Sequence, residues 1–94
     1  MATYFLMGSY SQQALGQLSA ERTDKTKALV EKCGGKVKSI HALLGEKDLA
    51  IIVELPGSKE AVKASIGLSK LLGAGFKTSE AISVEDFDKI VKDA

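Results

Sequence analysis

Residues 49–55, Leu-Ala-Ile-Ile-Val-Glu-Leu, form an apolar stretch that is typical of a β-strand with both faces covered. The polar segment 45–48, Gly-Glu-Lys-Asp, separates it from another predicted strand at residues 36–44. A short connection that begins with glycine is typical of a β-hairpin, so we expect these two strands to be antiparallel neighbours.

The rest of the chain alternates predicted helices and strands. The first strand, residues 3–10, is also apolar on both alternating faces. Gly34 and Gly35 end the main helix of the first half, because glycine readily adopts the left-handed conformation that terminates helices. The predicted helices cover residues 12–18, 21–33 and 58–72, with a final helix that Ser83 caps; the last strand covers 76–82.

This order predicts a single α+β domain over residues 1–94 with the ferredoxin-like β-α-β-β-α-β arrangement. Its antiparallel sheet would carry two helices on one face and a C-terminal helix in addition. Because two strands are apolar on both faces, the face without helices would expose more apolar surface than monomers tolerate. We therefore expect the terminal helix to cover part of it and a second copy the rest, in a homodimer or an assembly of dimers.

Composition excludes several classes of function. Thirteen basic and twelve acidic residues leave a net charge of +1, which provides no footprint for nucleic acid or an anionic membrane. The sequence contains no apolar run of about 20 residues, the length that a membrane-spanning helix needs. The single cysteine, Cys33, cannot form an internal disulfide, so the cytoplasm is the expected compartment. One histidine and one cysteine predict no metal site, and no cofactor motif is present.

Four residues are candidates for binding a ligand. Alternation places His41, in the second strand, on the same face as Val37 and Ser39. If that face lines a cavity, His41 is a candidate general base. Arg22 lies at the start of a helix, where a cation opposes the helix dipole, so an anionic ligand is one explanation. Tyr10 could donate a hydrogen bond to a ligand, and Asp48 follows the hairpin turn.

Each candidate also has a structural explanation. His41 fits a strand face or a dimer contact, and Arg22 fits a surface position or a pair with a nearby carboxylate. Tyr10 fits an aromatic residue that closes the core. Asp48 fits an acceptor of backbone hydrogen bonds in the turn.

Four segments resemble the GYD domain family: residues 1–4, Met-Ala-Thr-Tyr; residues 33–39, Cys-Gly-Gly-Lys-Val-Lys-Ser; residues 43–48, Leu-Leu-Gly-Glu-Lys-Asp; and Val-Glu-Asp-Phe at 84–87. The family signature, Gly-x-Tyr-Asp, falls on Gly45, Lys47 and Asp48, so lysine stands at the tyrosine position. The family is similar to the dimeric α/β barrel superfamily. That superfamily includes cofactor-free monooxygenases, isomerases, haem enzymes and amino-acid-sensing modules, so the resemblance implies a fold and self-association and leaves the activity open.

These observations leave three functional hypotheses. The first is an oligomeric module that binds a small apolar ligand between sheet and helices without a cofactor. The second is a cofactor-independent enzyme, of monooxygenase or isomerase type, with His41 as proton acceptor. The third is a subunit of a larger regulatory assembly, which needs a broad contact surface and no pocket.

Overall fold

The computed structural model describes all 94 residues. Its elements are β1 (Ala2–Tyr10), α1 (Gln12–Leu15), α2 (Glu21–Lys32), β2 (Lys36–Ala42), β3 (Leu49–Leu55), α3 (Ser58–Leu72), β4 (Ala74–Ala81) and α4 (Val84–Asp93).

The four strands form one antiparallel sheet in the order β2-β3-β1-β4. The predicted ferredoxin-like α+β fold is confirmed, including the hairpin that joins β2 to β3. The two strands with apolar residues on both faces, β1 and β3, lie at the centre of the sheet, where neighbours on both sides satisfy their backbone groups.

Helices α2 and α3 pack on one face of this sheet and enclose the core. The buried set combines alternate residues of β1 and β3 with one stripe of each helix: Tyr4, Leu6, Val30, Ile51, Val53, Leu55, Ala61, Ala64, Leu68 and Leu72. Leu71 is 39% exposed, whereas the adjacent Leu72 is buried. A Cβ on Gly67 would lie 3.0 Å from Leu29 Cδ1, so the small residues in α3 allow close approach to α2.

Several predicted boundaries were wrong by two or three residues. Helix α1 ends at Leu15 instead of residue 18, and β2 ends at Ala42 instead of 44. Strand β4 begins at Ala74 instead of 76, because Gly73 turns the chain in the left-handed conformation, with φ of 64°, without an intervening loop.

A β-bulge in β2 changes which side chains share a face. Val37 pairs with Val53 and Ser39 pairs with Ile52, so Lys38 is the extra residue. Strict alternation therefore fails at this point. The prediction that His41 shares a face with Val37 was wrong, although His41 does share one with Ser39.

The second face of the sheet carries no helix of the same chain. We call it the open sheet face; its residues on β1, β2 and β3 include Phe5, Met7, Ser39, His41, Ala50 and Ile52. Phe5 is 38% exposed there, and Met7 and Ile52 are half-buried. Beside them the Lys36 Nζ and Glu54 Oε1 atoms lie 3.4 Å apart.

Helix α4 does not cover the open sheet face of its own chain, contrary to expectation. Ser83 caps it as predicted, through a 3.1 Å hydrogen bond that the Asp86 backbone N–H donates to Ser83 Oγ. However, α4 has no buried residue and makes no extensive contact with another element. The radius of gyration, 14.2 Å, exceeds the roughly 12 Å of a compact chain of this length.

Gly35 is the position at which close packing most strictly requires glycine. A Cβ there would collide with the Glu54 carbonyl oxygen and lie 2.7 Å from Leu55 Cδ2. We expect Gly35→Ala to lower the free energy of unfolding by about 2 kcal/mol, because the obstacle is backbone in the adjacent strand. The melting temperature should then fall by roughly 8–16 °C, measured by circular dichroism.

Gly16→Ala is the matched control. Its nearest neighbour, Gln13 O, is at an ordinary 3.6 Å, and φ is −74°. It should melt within a few degrees of the unmodified protein. Equal melting temperatures for the two variants would contradict the packing role of Gly35.

Candidate functional site

An apolar cavity of about 290 Å³ lies between the helices and the β2–β3 edge of the sheet. Nine of its thirteen lining residues are hydrophobic. Its walls come from α1, α2, the end of β2, the start of β3 and the end of α3: Leu15, Leu18, Arg22, Thr23, Thr26, Ile40, Ala42, Leu43, Leu49, Ile51 and Leu72, with Tyr10 and Asp48. Three of the four predicted ligand-binding residues, Tyr10, Arg22 and Asp48, therefore line one cavity.

The cavity has a buried floor and an exposed apolar rim. Ile51 and Thr26 are 1% and 2% exposed, while Leu15 and Leu18 are 51% and 40% exposed at the mouth. The Thr26 hydroxyl donates a 2.7 Å hydrogen bond to the Arg22 carbonyl oxygen, so the buried polar group on the floor is satisfied. Because no polar floor atom lacks a partner, the floor fits the apolar part of a ligand.

Asp48 joins three strand ends at one side of the cavity. Its Oδ2 accepts a 3.0 Å hydrogen bond from the Tyr10 backbone N–H. Its own backbone N–H donates to Gly8 O, and its carbonyl oxygen accepts from Leu43 N–H, both at 2.9 Å. These contacts agree with the structural explanation, in which the aspartate accepts a backbone hydrogen bond, and leave its second carboxylate oxygen available.

Arg22 is half-buried and has no carboxylate partner. Its Nη1 donates to the Ser19 carbonyl oxygen. Glu21 and Asp24 are close in sequence, but the only salt bridge of the chain joins Lys36 to Glu54. Most of the guanidinium N–H groups therefore have no protein acceptor, at a helix position that opposes the dipole.

A second depression, of about 300 Å³, adjoins the apolar cavity. We call it the basic groove, because its only charged lining residues are Arg22, Lys25 and Lys70. Leu18, Arg22 and Leu72 line both depressions, so the two are direct neighbours. Sequence reasoning missed Lys25 and Lys70, since they come from different helices and carry no local signal.

His41 does not belong to this site. Its cross-strand partner is Ala50, whereas the adjacent Ile40 pairs with buried Ile51 and faces the helices. Because neighbouring strand residues point to opposite faces, His41 lies on the open sheet face, and it is exposed. The geometry brings the other three candidates together and separates this one.

A third depression lies between α3 and β4, where the Tyr4 ring, 4% exposed, meets Glu80. Burial raises the pKa of the Tyr4 phenol above its usual value, and the carboxylates of Glu80 and Glu60 raise this pKa further. A phenol held neutral in this way is suited to core packing more than to acid–base chemistry near pH 7.

No group of three or more histidine, cysteine, aspartate or glutamate side chains is arranged to hold a metal ion. Cys33 is a free, half-buried thiol at the end of α2 that packs against the core. None of the helices combines the length and the apolar character needed to cross a bilayer.

Comparison with models of protein families identifies the family of this chain. The family model described as GYD domain matches residues 4–91, nearly the whole sequence. This chain belongs to the GYD domain family. The signature positions of the GYD domain lie in the β2–β3 hairpin, where Gly45 has a φ of 137° and Asp48 makes the contacts described above. Lys47, at the tyrosine position, is half-buried and does not line the cavity.

Solved structures share the fold of this GYD domain. The Mycobacterium tuberculosis leucine response regulatory protein (LrpA) is similar with a TM-score of 0.59 and 12% identity over 88% of this chain. A crystal structure of a glutamate-to-alanine mutant is similar with a TM-score of 0.58 and 12% identity, over 88% of this chain. The chain spans about half the length of each, 51%, and at this identity the similarity shows the fold alone. No curated protein matches in sequence.

Asp48 provides a test of how the GYD domain holds the cavity wall. Asp48→Ala removes the acceptor of the Tyr10 N–H, and we expect it to lower the free energy of unfolding by about 1.5–3 kcal/mol, as for other hydrogen bonds to charged groups. Asp48→Asn keeps an oxygen acceptor and should lose less. Urea denaturation measures both values.

Glu46→Ala, an exposed change in the same turn, is the control and should leave stability unchanged. If Asp48→Ala unfolds at the same urea concentration as this control, the hydrogen bond to Tyr10 does not hold the strand ends together.

Proposed function

We propose that this protein is a self-associating module that binds a small, mostly apolar ligand in the apolar cavity. The observation that carries the proposal is the cavity itself, whose floor is apolar and whose edge holds Tyr10, Arg22 and Asp48. A few polar groups around an apolar interior are the usual arrangement of small-molecule sites, in which the polar groups orient the ligand.

The volume limits the size of the ligand. About 290 Å³ is at the lower end of small-molecule pockets. The cavity volume equals the space that roughly ten water molecules fill, since one water molecule occupies about 30 Å³ in the liquid. We therefore propose a ligand of ~10 heavy atoms, comparable to an aliphatic chain of about eight to ten carbons.

The position of His41 favours binding over catalysis. An enzyme that uses His41 as proton acceptor needs this side chain at the ligand, and the sheet lies between His41 and the cavity. The name of the M. tuberculosis relative also supports a binding function, because it associates a protein containing this fold with a response to leucine, a small apolar amino acid.

We further propose that a second copy of the chain covers the open sheet face. Phe5, Met7 and Ile52 form an apolar centre on this face, and polar residues such as Ser39 and Lys77 surround it. An apolar centre with a polar rim is the usual composition of a protein interface. The apolar stripe of α4 is unpartnered too, with Phe87 54% and Ile90 58% exposed.

The sheet face supplies a large part of a standard dimer interface. Four strands of seven to nine residues, at about 3.3 Å per residue and about 4.8 Å between strands, give a face of roughly 25 by 19 Å. This is somewhat more than half of the ~800 Å² per partner of standard interfaces, so we propose that the ten residues of α4 extend the contact.

Light scattering tests the self-association. The protein at micromolar concentration should have at least twice its 9.9 kDa chain mass. Phe5→Lys should shift the mass to that of one chain, because it places a charge at the centre of the open sheet face. Phe87→Lys should weaken association if α4 takes part in the contact.

Val62→Lys is the matched control, since Val62 is also apolar and 59% exposed but lies on α3, away from the open sheet face. It should leave the mass unchanged. A single-chain mass for the unmodified protein would falsify the dimer, and a single-chain mass for Val62→Lys would show that the effect is not specific to the face.

Binding of 1-octanol tests the cavity with a neutral apolar probe. Saturating 1-octanol should shift the methyl NMR signals of Ile40, Leu43 and Leu49 in the unmodified protein. Ala42→Phe should reduce its affinity by at least about tenfold, because the ring occupies the space that the probe needs. Titration followed by NMR gives both results.

Ala28→Phe, an exposed change on α2 outside the cavity, should bind 1-octanol as the unmodified protein does. Methyl shifts confined to Val62 and Ile66, at the third depression, or no shifts at all, would refute binding in the apolar cavity.

A further inference from the structure

We infer that the ligand of the apolar cavity is an amphipathic anion, whose apolar body enters the cavity and whose anionic group binds in the basic groove at Arg22. This inference rests on the proposed function, since it names the chemical class that the same site takes. Three observations carry it: the adjacency of the two depressions, with Arg22 lining both, the charges of the groove and the absence of a salt bridge to Arg22.

The two depressions form one site with two chemical ends. Leu18 and Leu72 are shared walls, and Arg22 lies between the apolar cavity and the basic groove. A molecule with its chain on the floor near Ile51 therefore has its other end close to the guanidinium. The shape selects for a ligand that is apolar at one end and polar at the other.

The groove selects for negative charge. Arg22, Lys25 and Lys70 line it without any carboxylate. Glu21 and Asp24 flank Arg22 in the sequence but line neither depression. Three cations without counter-charges repel one another, so an anion bound among them gains three attractive interactions and relieves this repulsion.

Arg22 is the residue best placed to recognise the anion. It is half-buried, it donates one hydrogen bond to the Ser19 carbonyl oxygen, and it forms no salt bridge. A planar guanidinium binds a carboxylate through two parallel hydrogen bonds, which fixes both distance and orientation. A bound anion would also offset the unfavourable interaction between this cation and the N-terminal end of the α2 dipole.

Asp48 is the one acidic group that lines the cavity. Its Oδ2 is occupied by the Tyr10 N–H, and it does not line the basic groove. A ligand whose anionic end lies in the groove keeps its apolar end towards Asp48. In the reversed orientation the anionic end would lie near the Asp48 carboxylate, and the two negative charges would repel each other. The same charge provides a reason to test a cation as a separate probe.

Three probes with the same chain separate the alternatives: octanoate, 1-octanol and octylammonium, titrated by calorimetry at low ionic strength. We expect octanoate to bind at least about tenfold more tightly than 1-octanol, equivalent to one charge-assisted interaction. Arg22→Gln should weaken octanoate binding by at least about tenfold, a larger factor than its effect on 1-octanol binding. Added salt should weaken octanoate binding alone.

Lys27→Gln is the control, because Lys27 is exposed on the same helix and lines neither depression. It should bind all three probes as the unmodified protein does. If Arg22→Gln does not fold, the double change of Lys25 and Lys70 to glutamine replaces it, with a smaller loss of octanoate affinity expected because both lysines are exposed.

The outcomes distinguish this inference from the function on which it rests. Equal binding of octanoate and 1-octanol, unaffected by Arg22→Gln, overturns the anion and leaves the apolar cavity in place. Tighter binding of octylammonium overturns it as well and assigns the head group to Asp48. No binding of any probe overturns the proposed function, and the anion with it.

Discussion

The apolar character of both faces of β1 and β3 is the constraint on which the rest of the structure depends. Two strands of this kind must lie side by side at the centre of a sheet, and each face then needs a separate cover. Helices α2 and α3 provide one cover and enclose the core. The other face keeps Phe5 partly exposed, and this imbalance is the physical basis for the proposed self-association.

Two local features of the sheet determine which side chains line the apolar cavity. The bulge at Lys38 turns Ile40 towards the helices and His41 away from them. At the other end of the hairpin, Asp48 ties β1 to the start of β3. The apolar cavity lies between these features, with walls from both the helices and this edge of the sheet. The signature hairpin of the family thus contributes a wall of the site, with Lys47 outside it.

The chemistry of the site differs from what single residues suggested. A lone histidine in a strand is an obvious candidate for catalysis, yet it lies across the sheet from the cavity. Of the cations that line the groove, Arg22 and Lys25 lie on α2, whereas Lys70 lies on α3, far away in sequence. Together with the apolar floor, these cations give the site one apolar end and one positively charged end. Neither helix provides this combination alone.

Apolar patterning along the chain was enough to predict the order of elements, the hairpin and the capping residue Ser83, because these depend on neighbouring residues and on simple burial. It also identified Tyr10, Arg22 and Asp48 as candidates, without relating them to one another. The need for a partner stays a prediction. The bulge, the position of α4 and the meeting of Arg22 with Lys70 depend on how elements pack in three dimensions. One extra residue in β2 reverses the face of every later side chain in that strand, and composition carries no signal for it.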